Sequence, residues 1–284
     1  MTRVQRHGSG GGGRRNGFAN EESPLLGGSS PKPRRARWHK SLMDDVSYSW
    51  TDAVLLACYM VTGLLDSSSI QVWGTFVSMQ TGNTIYVGLG LASLLTTTPS
   101  SRLIKSAVSL SSFCIGSFFF ARFHRFFSVR RRWVLCVSFT AQMLCTVAAA
   151  LIVSRDPPAE DDGLLAWNVL VPIALVAFQS CGQAVTSRAL RHDAFTSVVL
   201  TSIYTDLFSD QELFALHNVP RNRRVAAPLL LLMGTVLGGL LSVSSFGIAG
   251  ALWLAAWLKL LMVVTWFFWA AESECESLSE AYEN

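Results

Sequence analysis

Charge is the scarcest property of this sequence. Only 15% of its 284 residues are charged, against about 25% in soluble globular proteins. In contrast, 50% are hydrophobic, and the mean hydropathy is +0.36. That balance excludes a soluble enzyme, a nucleic-acid-binding module and a disordered regulator as the main class of protein. It predicts a membrane protein whose partner is the lipid bilayer, and the net charge of +4 concerns topology rather than nucleic-acid binding.

The short motifs of enzyme chemistry are missing as well. The sequence contains no Walker motif, no G-x-S-x-G, no H-E-x-x-H and no C-x-x-C, which are signatures of phosphate, nucleophile and metal sites. Its six cysteines are isolated, and five lie in apolar runs, where cysteine usually acts as a small apolar side chain. We therefore expect no metal, no cofactor and no enzyme activity; a membrane-embedded enzyme is the least favoured alternative.

Two polar segments flank the apolar part of the chain. Residues 1–49 combine a glycine run with scattered prolines and end in basic residues. They predict a disordered cytosolic tail with a positive-inside anchor. Residues 271–284 form an acidic C-terminal tail. Because Glu21–Leu26 resembles an acidic dileucine sorting signal, the plasma membrane and a vacuolar or endosomal membrane both stay open as locations.

Apolar runs fill residues 50–270, and most are as long as the ~20 residues that cross a bilayer. The runs are 50–68, 73–95, 105–124, 133–153, 164–186, 195–209, 225–245 and 247–270. If every run crossed, the arginine-rich loop at 125–132 would lie outside, against the positive-inside rule. If 73–95 and 195–209 do not fully cross, all arginine clusters lie inside. We therefore predict an all-α membrane bundle with six full spans and two broken or re-entrant helices.

The two irregular runs occupy matching places in two halves, 50–153 and 164–270. Thr84-Ile85-Tyr86 in the first half resembles Ser202-Ile203-Tyr204 in the second. Each half has three full spans, an odd number, so the halves would have opposite orientations. Inverted repeats with broken helices at equivalent positions are typical of secondary transporters, which bind solutes at the breaks. A gene duplication without transport is the alternative.

Polar residues gather at the predicted breaks, and we predict that both halves contribute them to one central site for a small solute or ion. Lys259 lies near the middle of the last run, where an ammonium group costs about 2.5–3.5 kcal/mol or more. It would supply the counter-charge, unless it forms a fixed ion pair with Asp66 or Asp206; Asp206 alternatively pairs with an arginine such as Arg221 or Arg224. The predicted site residues are Asp66, Gln80, Thr81, Gly82, Asn83, Gln183, Thr201, Ser202, Asp206 and Lys259.

Small residues predict one further surface. Gly234 and Gly238 form a G-x-x-x-G pattern in the run 225–245. Such patterns let two membrane helices approach closely. The face that carries these glycines is the candidate surface for a homo-oligomer.

Several stretches resemble a known family. Gly63–Asp66, Phe76-Val77 and Gln80–Thr84 look like the signature of the YoaK-like membrane proteins, a domain-of-unknown-function family (number 1275). Further stretches resemble its fungal branch: Phe178–Gln183, Ser187–Leu190, Val198–Leu207 and Arg221–Arg224. The resemblance covers roughly residues 50–270 and implies about six spans without an established activity. Bacterial relatives tend to have a second Thr-Gly pair where this chain has Thr201-Ser202.

The sequence thus predicts a transporter or permease-like protein for a small solute or ion. The alternative is a scaffold or accessory protein that transports nothing and whose polar clusters only fix helix packing. A wet cavity that contains Asp66, Asn83 and Lys259 would favour the transporter. A dry and fully paired cluster would favour the scaffold.

Overall fold

Eight α-helices make up the part of the chain that the structure describes, and that part contains no strand. The computed structural model describes residues 43, 45–46, 51–94, 100–156, 166–190, 200–215 and 218–269. The helices are α1 (Thr51–Val72), α2 (Gln80–Ser93), α3 (Ser101–Phe126), α4 (Arg132–Arg155), α5 (Trp167–Ala189), α6 (Leu200–Phe208), α7 (Val219–Val243) and α8 (Gly247–Phe267). All but α2 and α6 are long and apolar enough to cross a membrane. The predicted bundle of six spans is therefore confirmed.

The run predicted at 73–95 does not continue α1. The chain leaves the helix at Val72 and turns at Gly74, whose φ of +74° favours glycine. It then forms a loop before α2 begins at Gln80. The 14 residues of α2 extend only about 21 Å at 1.5 Å per residue, which is less than the ~30 Å hydrocarbon core.

The second short helix, α6, has nine residues and two faces. Ile203 and Leu207, one turn apart, are buried, whereas Tyr204 is exposed. The helix packs against α7. It begins at Leu200, and the predicted residues 195–199 lie outside the described part of the chain.

The segment before α1 reveals which helix ends share a side of the membrane. The backbone N–H of Val46 donates to the carbonyl of Arg130 at 2.9 Å, and Asp45 pairs with Arg131 across the same short contact. The start of α1 therefore lies near the end of α3, so these two helices cross in opposite directions. Helix α2 connects them at the other end of the bundle and does not cross. The remainder of the predicted N-terminal tail and residues 271–284 lie outside the described residues.

The end of the bundle that carries this contact also carries most of the arginines. The α3–α4 turn, the end of α5 and the start of α7 all lie there if successive spans alternate in direction. Arg125, Arg188 and Arg221 are examples from these three places. The positive-inside rule predicts that this end faces the cytosol, and we call it the inner end. The ends of α1 and α7 lie at the outer end.

Helix packing follows the predicted division into two halves. Exchange of α1–α4 with α5–α8 maps the main contacts onto one another: α1 packs along α7, and its counterpart α5 packs along α3. Likewise, α1 contacts α8 and α5 contacts α4. The fourth helices, α4 and α8, pack against each other. The first helix of each half therefore packs against the third helix of the other half.

Equivalent positions of the two halves are 118 residues apart over much of the chain, and we call this spacing the register. Ser100 and Asn218 are 118 positions apart, and each uses its side chain to cap the first turn of its helix, α3 or α7. Gly116 and Gly234 have the same spacing. A Cβ on Gly116 would overlap the carbonyl of Phe178, and one on Gly234 would overlap the carbonyl of Met60, again 118 positions away. The two helix crossings are thus equivalent.

One of these crossings includes the G-x-x-x-G face. Gly234 and Gly238 are buried against α1, where Cβ atoms would overlap the carbonyls of Met60 and Leu64. Helix α1 of the same chain therefore occupies the surface that was predicted to contact a second copy. The two glycines thus form a contact within the chain, and a homo-oligomer stays a prediction.

Candidate functional site

Asp66 lies near the outer end of α1 and holds the loop that follows. Its Oδ1 accepts hydrogen bonds from the backbone N–H groups of Val77 at 2.8 Å and Ser78 at 2.9 Å. The Ser78 hydroxyl donates to Oδ2. Only 5% of the residue is exposed. The carboxylate thus replaces the helical hydrogen bonds that the chain loses where it unwinds between α1 and α2.

Asn83 completes the same loop from α2. Its Oδ1 accepts from the Thr75 hydroxyl at 2.8 Å and the Phe76 N–H at 3.1 Å. Its Nδ2 donates to the Phe76 carbonyl at 2.8 Å, to Gln80 Oε1 at 2.9 Å and to Ser109 Oγ at 3.0 Å. The side chain is fully buried. An amide with both ends satisfied fixes the backbone around Phe76.

Gln80 and two serines of α3 connect this loop to the bundle. Gln80 Nε2 donates to the Val77 carbonyl at 3.1 Å and to Ser109 Oγ at 3.3 Å. The Thr75 hydroxyl also shares a 3.1 Å hydrogen bond with the Ser106 hydroxyl. We name this group of residues the turn cluster: Asp66, Thr75, Ser78, Gln80, Asn83, Ser106 and Ser109.

The other two residues of the Gln-Thr-Gly-Asn stretch do not take part in that network. Thr81 is exposed on α2. Gly82 makes room for Phe76, because a Cβ on Gly82 would come within 2.7 Å of its ring. The Phe76 ring stacks on that of Tyr86, with centroids 6.2 Å apart. Gly82 therefore has a packing role in this loop.

Lys259 lies in a different place, at the contact between α4 and α8. It is fully buried, and its Nζ donates to Gln142 Oε1 at 2.9 Å. The centroid of the Phe139 ring lies 5.9 Å from Nζ. Among the described residues no carboxylate contacts this ammonium. The predicted ion pairs with Asp66 and Asp206 are therefore wrong.

Helices α1 and α5 add polar groups beside Lys259 and Gln142. Gln183 Oε1 accepts a hydrogen bond from the Thr62 hydroxyl at 3.2 Å. Gly182 packs directly against the side chain of Gln142. Gln179, one turn before Gln183, is buried, and its Oε1 has no partner within the described part of the chain. We name these residues the central cluster: Thr62, Gln142, Gln179, Gln183 and Lys259.

The residues predicted on the second short helix are elsewhere. Thr201, Ser202 and Asp206 lie on the exposed face of α6. The predicted pairing of Asp206 with Arg221 or Arg224 is not found either. Arg224 instead pairs with Asp210 at 2.9 Å, and Arg221 donates to backbone carbonyls of the α6–α7 connection. The predicted single site is thus divided into the turn cluster, the central cluster and an exposed helix face.

Two grooves flank the central cluster, one at each end of the bundle. The outer groove, about 340 Å³, lies between α1 and α7 and includes Asp66. The inner groove, about 650 Å³, lies between α3 and α5 and includes His124. Seven lining positions of one groove correspond to seven of the other at the register of 118 residues. The pairs, with the inner residue first, are Phe113/Leu231, Ser117/Thr235, Ala121/Gly239, Ala184/Asp66, Val185/Ser67, Arg188/Ile70 and Ala189/Gln71.

On α1 and on α5, a residue of the central cluster directly precedes a residue that lines one of the grooves. Gly63, which follows Thr62, lines the outer groove. Ala184, which follows Gln183, lines the inner groove. The Thr62–Gln183 hydrogen bond therefore joins two positions that directly adjoin the two grooves.

Sequence reasoning missed several of these residues. Gln142 is an amide in the middle of the run 133–153, and its burial in an apolar span was a signal comparable to that of Lys259. Ser106 and Ser109 are three positions apart in α3, so they lie on one helix face. His124 at the end of the third run was a further titratable residue in a span.

One protein family matches most of this chain. Its model, described as "Protein of unknown function (DUF1275)", matches residues 54–265. That range contains both clusters and both grooves. No curated protein and no solved structure matches the chain. The resemblance to the fungal branch stays a prediction. The matched range shows that the chain belongs to the DUF1275 family, whose six apolar helices make it a family of membrane proteins.

Proposed function

We propose that this protein is a transporter that moves a small solute or ion by opening the inner and the outer groove in turn. One observation carries the proposal: the two grooves are lined by equivalent residues of the two halves, and these residues lie toward opposite ends of the bundle. In transporters with inverted repeats, each half takes in turn the conformation of the other, and a central site is exposed to either side.

The central cluster provides the polar groups that such a site needs. Thr62 and Gln183 supply a hydroxyl and an amide between the grooves, and Gln179 adds a buried amide oxygen without a partner among the described residues. Hydrogen-bonding groups of this kind can replace water around a small solute. In the structure Thr62 and Gln183 bond to each other, so they form the barrier that must separate when a solute passes.

The helix crossings are suited to the required movement. At both crossings of a first helix with a third helix, a glycine contacts a backbone carbonyl directly. Small residues at an interface let helix backbones approach closely, so no large side chain interlocks the helices at these two contacts. The inner groove, about 650 Å³, is larger than the outer groove, about 340 Å³; within the proposal, this difference supports a state that is more open toward the inner end.

A scaffold or accessory function is the second candidate, and the turn cluster favours it. Both oxygens of Asp66 and both ends of the Asn83 amide are satisfied by neighbouring groups. A saturated, buried network of this kind fixes a conformation and leaves no group free for a solute. Within the transporter proposal, these residues therefore hold the α1–α2 turn and do not bind solute.

Flux through reconstituted protein distinguishes the two functions. Proteoliposomes are shocked with glycerol, glycine, ammonium chloride, ammonium acetate or ammonium phosphate, and re-swelling is followed by light scattering. We expect the wild type to re-swell faster than protein-free vesicles with at least one of these solutes, and Thr62→Val or Gln183→Leu to alter that rate. Thr265→Val is the control, because the Thr265 hydroxyl is exposed and bonds only to its own helix.

The result that would overturn the transporter is a rate no higher than that of protein-free vesicles with every solute. An equal rate change in Thr62→Val and Thr265→Val would also contradict the proposed barrier. The first outcome, obtained with folded protein, would leave the scaffold as the function that the structure supports. The second would leave transport in place and remove Thr62 from the barrier.

A further inference from the structure

The two equivalent grooves differ in charge. The inner groove is lined by His124, Arg125 and Arg188. At the register of 118 residues, the outer end has Ser242, Val243 and Ile70 at these positions. The basic side chains are therefore a property of the inner groove alone and do not follow from the repeat.

His124 is the most informative of the three. Only 5% of it is exposed, and neither ring nitrogen has a hydrogen-bond partner in the part of the chain that the structure describes. A buried imidazole has at least one N–H to donate, and leaving such a group unpaired destabilises the protein. Because His124 forms part of the groove wall, a group bound in the groove can supply its partner.

The two arginines face the same space from different helices. Arg125 follows His124 on α3, and Arg188 lies near the end of α5. No described carboxylate pairs with either guanidinium. Arg122, by contrast, lies over the Phe118 ring, 5.1 Å from its centroid, and does not line the groove.

The chemistry of these groups selects an oxyanion. Guanidinium groups donate paired hydrogen bonds to phosphate or carboxylate oxygens, and an imidazole N–H can donate a further one. Two guanidinium groups and one imidazole match the several oxygens and the greater charge of a phosphate group. The hydroxyl of Ser117, on the same face of α3, is another groove-lining group.

We infer that the inner groove is a binding site for a phosphate group, held by Arg125, Arg188 and His124. The phosphate comes from an anionic lipid headgroup or from free inorganic phosphate, which share this chemistry. Apolar walls at Phe113, Val129 and Val185 would contact the acyl part of a lipid. The inference does not rest on transport, because an occupied groove is compatible with a scaffold as well.

Thermal unfolding of the purified full-length protein tests the site and identifies the source. One arm adds inorganic phosphate to protein in phosphatidylcholine nanodiscs, with sodium chloride at equal ionic strength as reference. The other arm compares nanodiscs with and without phosphatidic acid. We expect at least one arm to raise Tm, because a ligand that binds only the folded state stabilises it. A rise with phosphatidic acid alone identifies the headgroup, and a rise with phosphate alone identifies the free ion.

Variants show whether the rise belongs to this groove. We expect Arg188→Gln and Arg125→Gln to lose at least half of the Tm rise, and His124→Gln to reduce it. Arg122→Gln removes the same charge from the same helix outside the groove, so it should keep the full rise. Arg125 and Arg188 are exposed, so their variants remain informative if replacement of the buried His124 prevents folding. No Tm rise in either arm, or an equal loss in Arg122→Gln and Arg188→Gln, would overturn the inference.

Discussion

Gln142 of α4 and Lys259 of α8 join the two halves through a direct hydrogen bond. They are 117 positions apart in the sequence, and Lys259 Nζ donates to Gln142 Oε1 at 2.9 Å. The pair therefore lies where α4 and α8, the helices that exchange with each other, are in contact. It places a buried ammonium group beside an amide oxygen and an aromatic ring, with no carboxylate in contact among the described residues.

Replacement of Lys259 and replacement of Gln142 should affect the stability of the protein differently. Lys259→Met deletes the buried charge together with its desolvation cost, so we expect an unchanged or higher Tm. Gln142→Leu leaves the ammonium without its acceptor, and we expect a loss of about 1–3 kcal/mol in the free energy of unfolding. The double variant should recover most of that loss, as measured by denaturant or thermal unfolding in detergent. Equal destabilisation by both single variants would contradict this description of the pair.

The equivalent helix crossings make a prediction about glycine. Gly116→Ala and Gly234→Ala should each destabilise the protein by about 2 kcal/mol or more, because the added Cβ overlaps a backbone carbonyl that has no room to move. Gly88→Ala is the control, since Gly88 is exposed on α2 with nothing within 4 Å of its Cβ position. There alanine should raise helix stability by about 0.5–1 kcal/mol.

Thermal unfolding measures all three glycine variants, and size-exclusion chromatography with light scattering measures their oligomeric state. A Gly234→Ala protein that stays fully stable but loses a dimer would show that this face contacts a second copy after all. The packing of Gly234 against Met60 predicts the opposite result.

The turn cluster should affect stability and leave flux unchanged. Asn83→Ala leaves the N–H of Phe76 without its side-chain acceptor and removes one of the two short hydrogen bonds to the Phe76 carbonyl, which keeps the Ser109 hydroxyl as a donor. We therefore expect a loss of about 1–3 kcal/mol in unfolding free energy. Asp66→Asn keeps one acceptor oxygen and should cost less. Thr81→Ala, the control on the exposed face of α2, should have little effect. Re-swelling rates per folded protein should stay near the wild-type rate, and a selective loss of flux in Asp66→Asn would place this carboxylate on the solute path.

The number of spans and the two short helices could be predicted, because hydropathy and loop charge are properties of consecutive residues. The faces of the helices were not predicted. Thr201 and Asp206 lie on the exposed face of α6, although Leu200, Ile203 and Leu207 recur at the spacing of an apolar helix face and indicate the side that meets α7. Lys259 was identified by its position, but its partner was sought among carboxylates. A neutral amide, Gln142, stabilises it instead.

The sequence alone did not show how far the repeat extends, and the reason is physical. Equivalent positions preserve backbone contacts, as at Gly116 and Gly234, whereas their side chains have different chemistry. Asp66 corresponds to Ala184 and Arg188 to Ile70. A sequence comparison detects side chains, so only the Ile-Tyr stretches of α2 and α6 indicated a relationship. The contacts of the folded chain reveal the register of 118 residues that relates α1 to α5 and α3 to α7.

Equivalent groove positions should react from opposite sides of the membrane. Ser117 lines the inner groove and Thr235, its counterpart 118 positions later, lines the outer groove. In sealed vesicles, a membrane-impermeant maleimide should label Ser117→Cys from the cytosolic side and Thr235→Cys from the other side. The wild-type chain provides the background from native cysteines, and Thr265→Cys, on the exposed face of α8, is the control for a position outside both grooves. Labelling of Ser117→Cys and Thr235→Cys from the same side would contradict the inverted arrangement of the halves, because three spans in each half must place these equivalent residues at opposite ends.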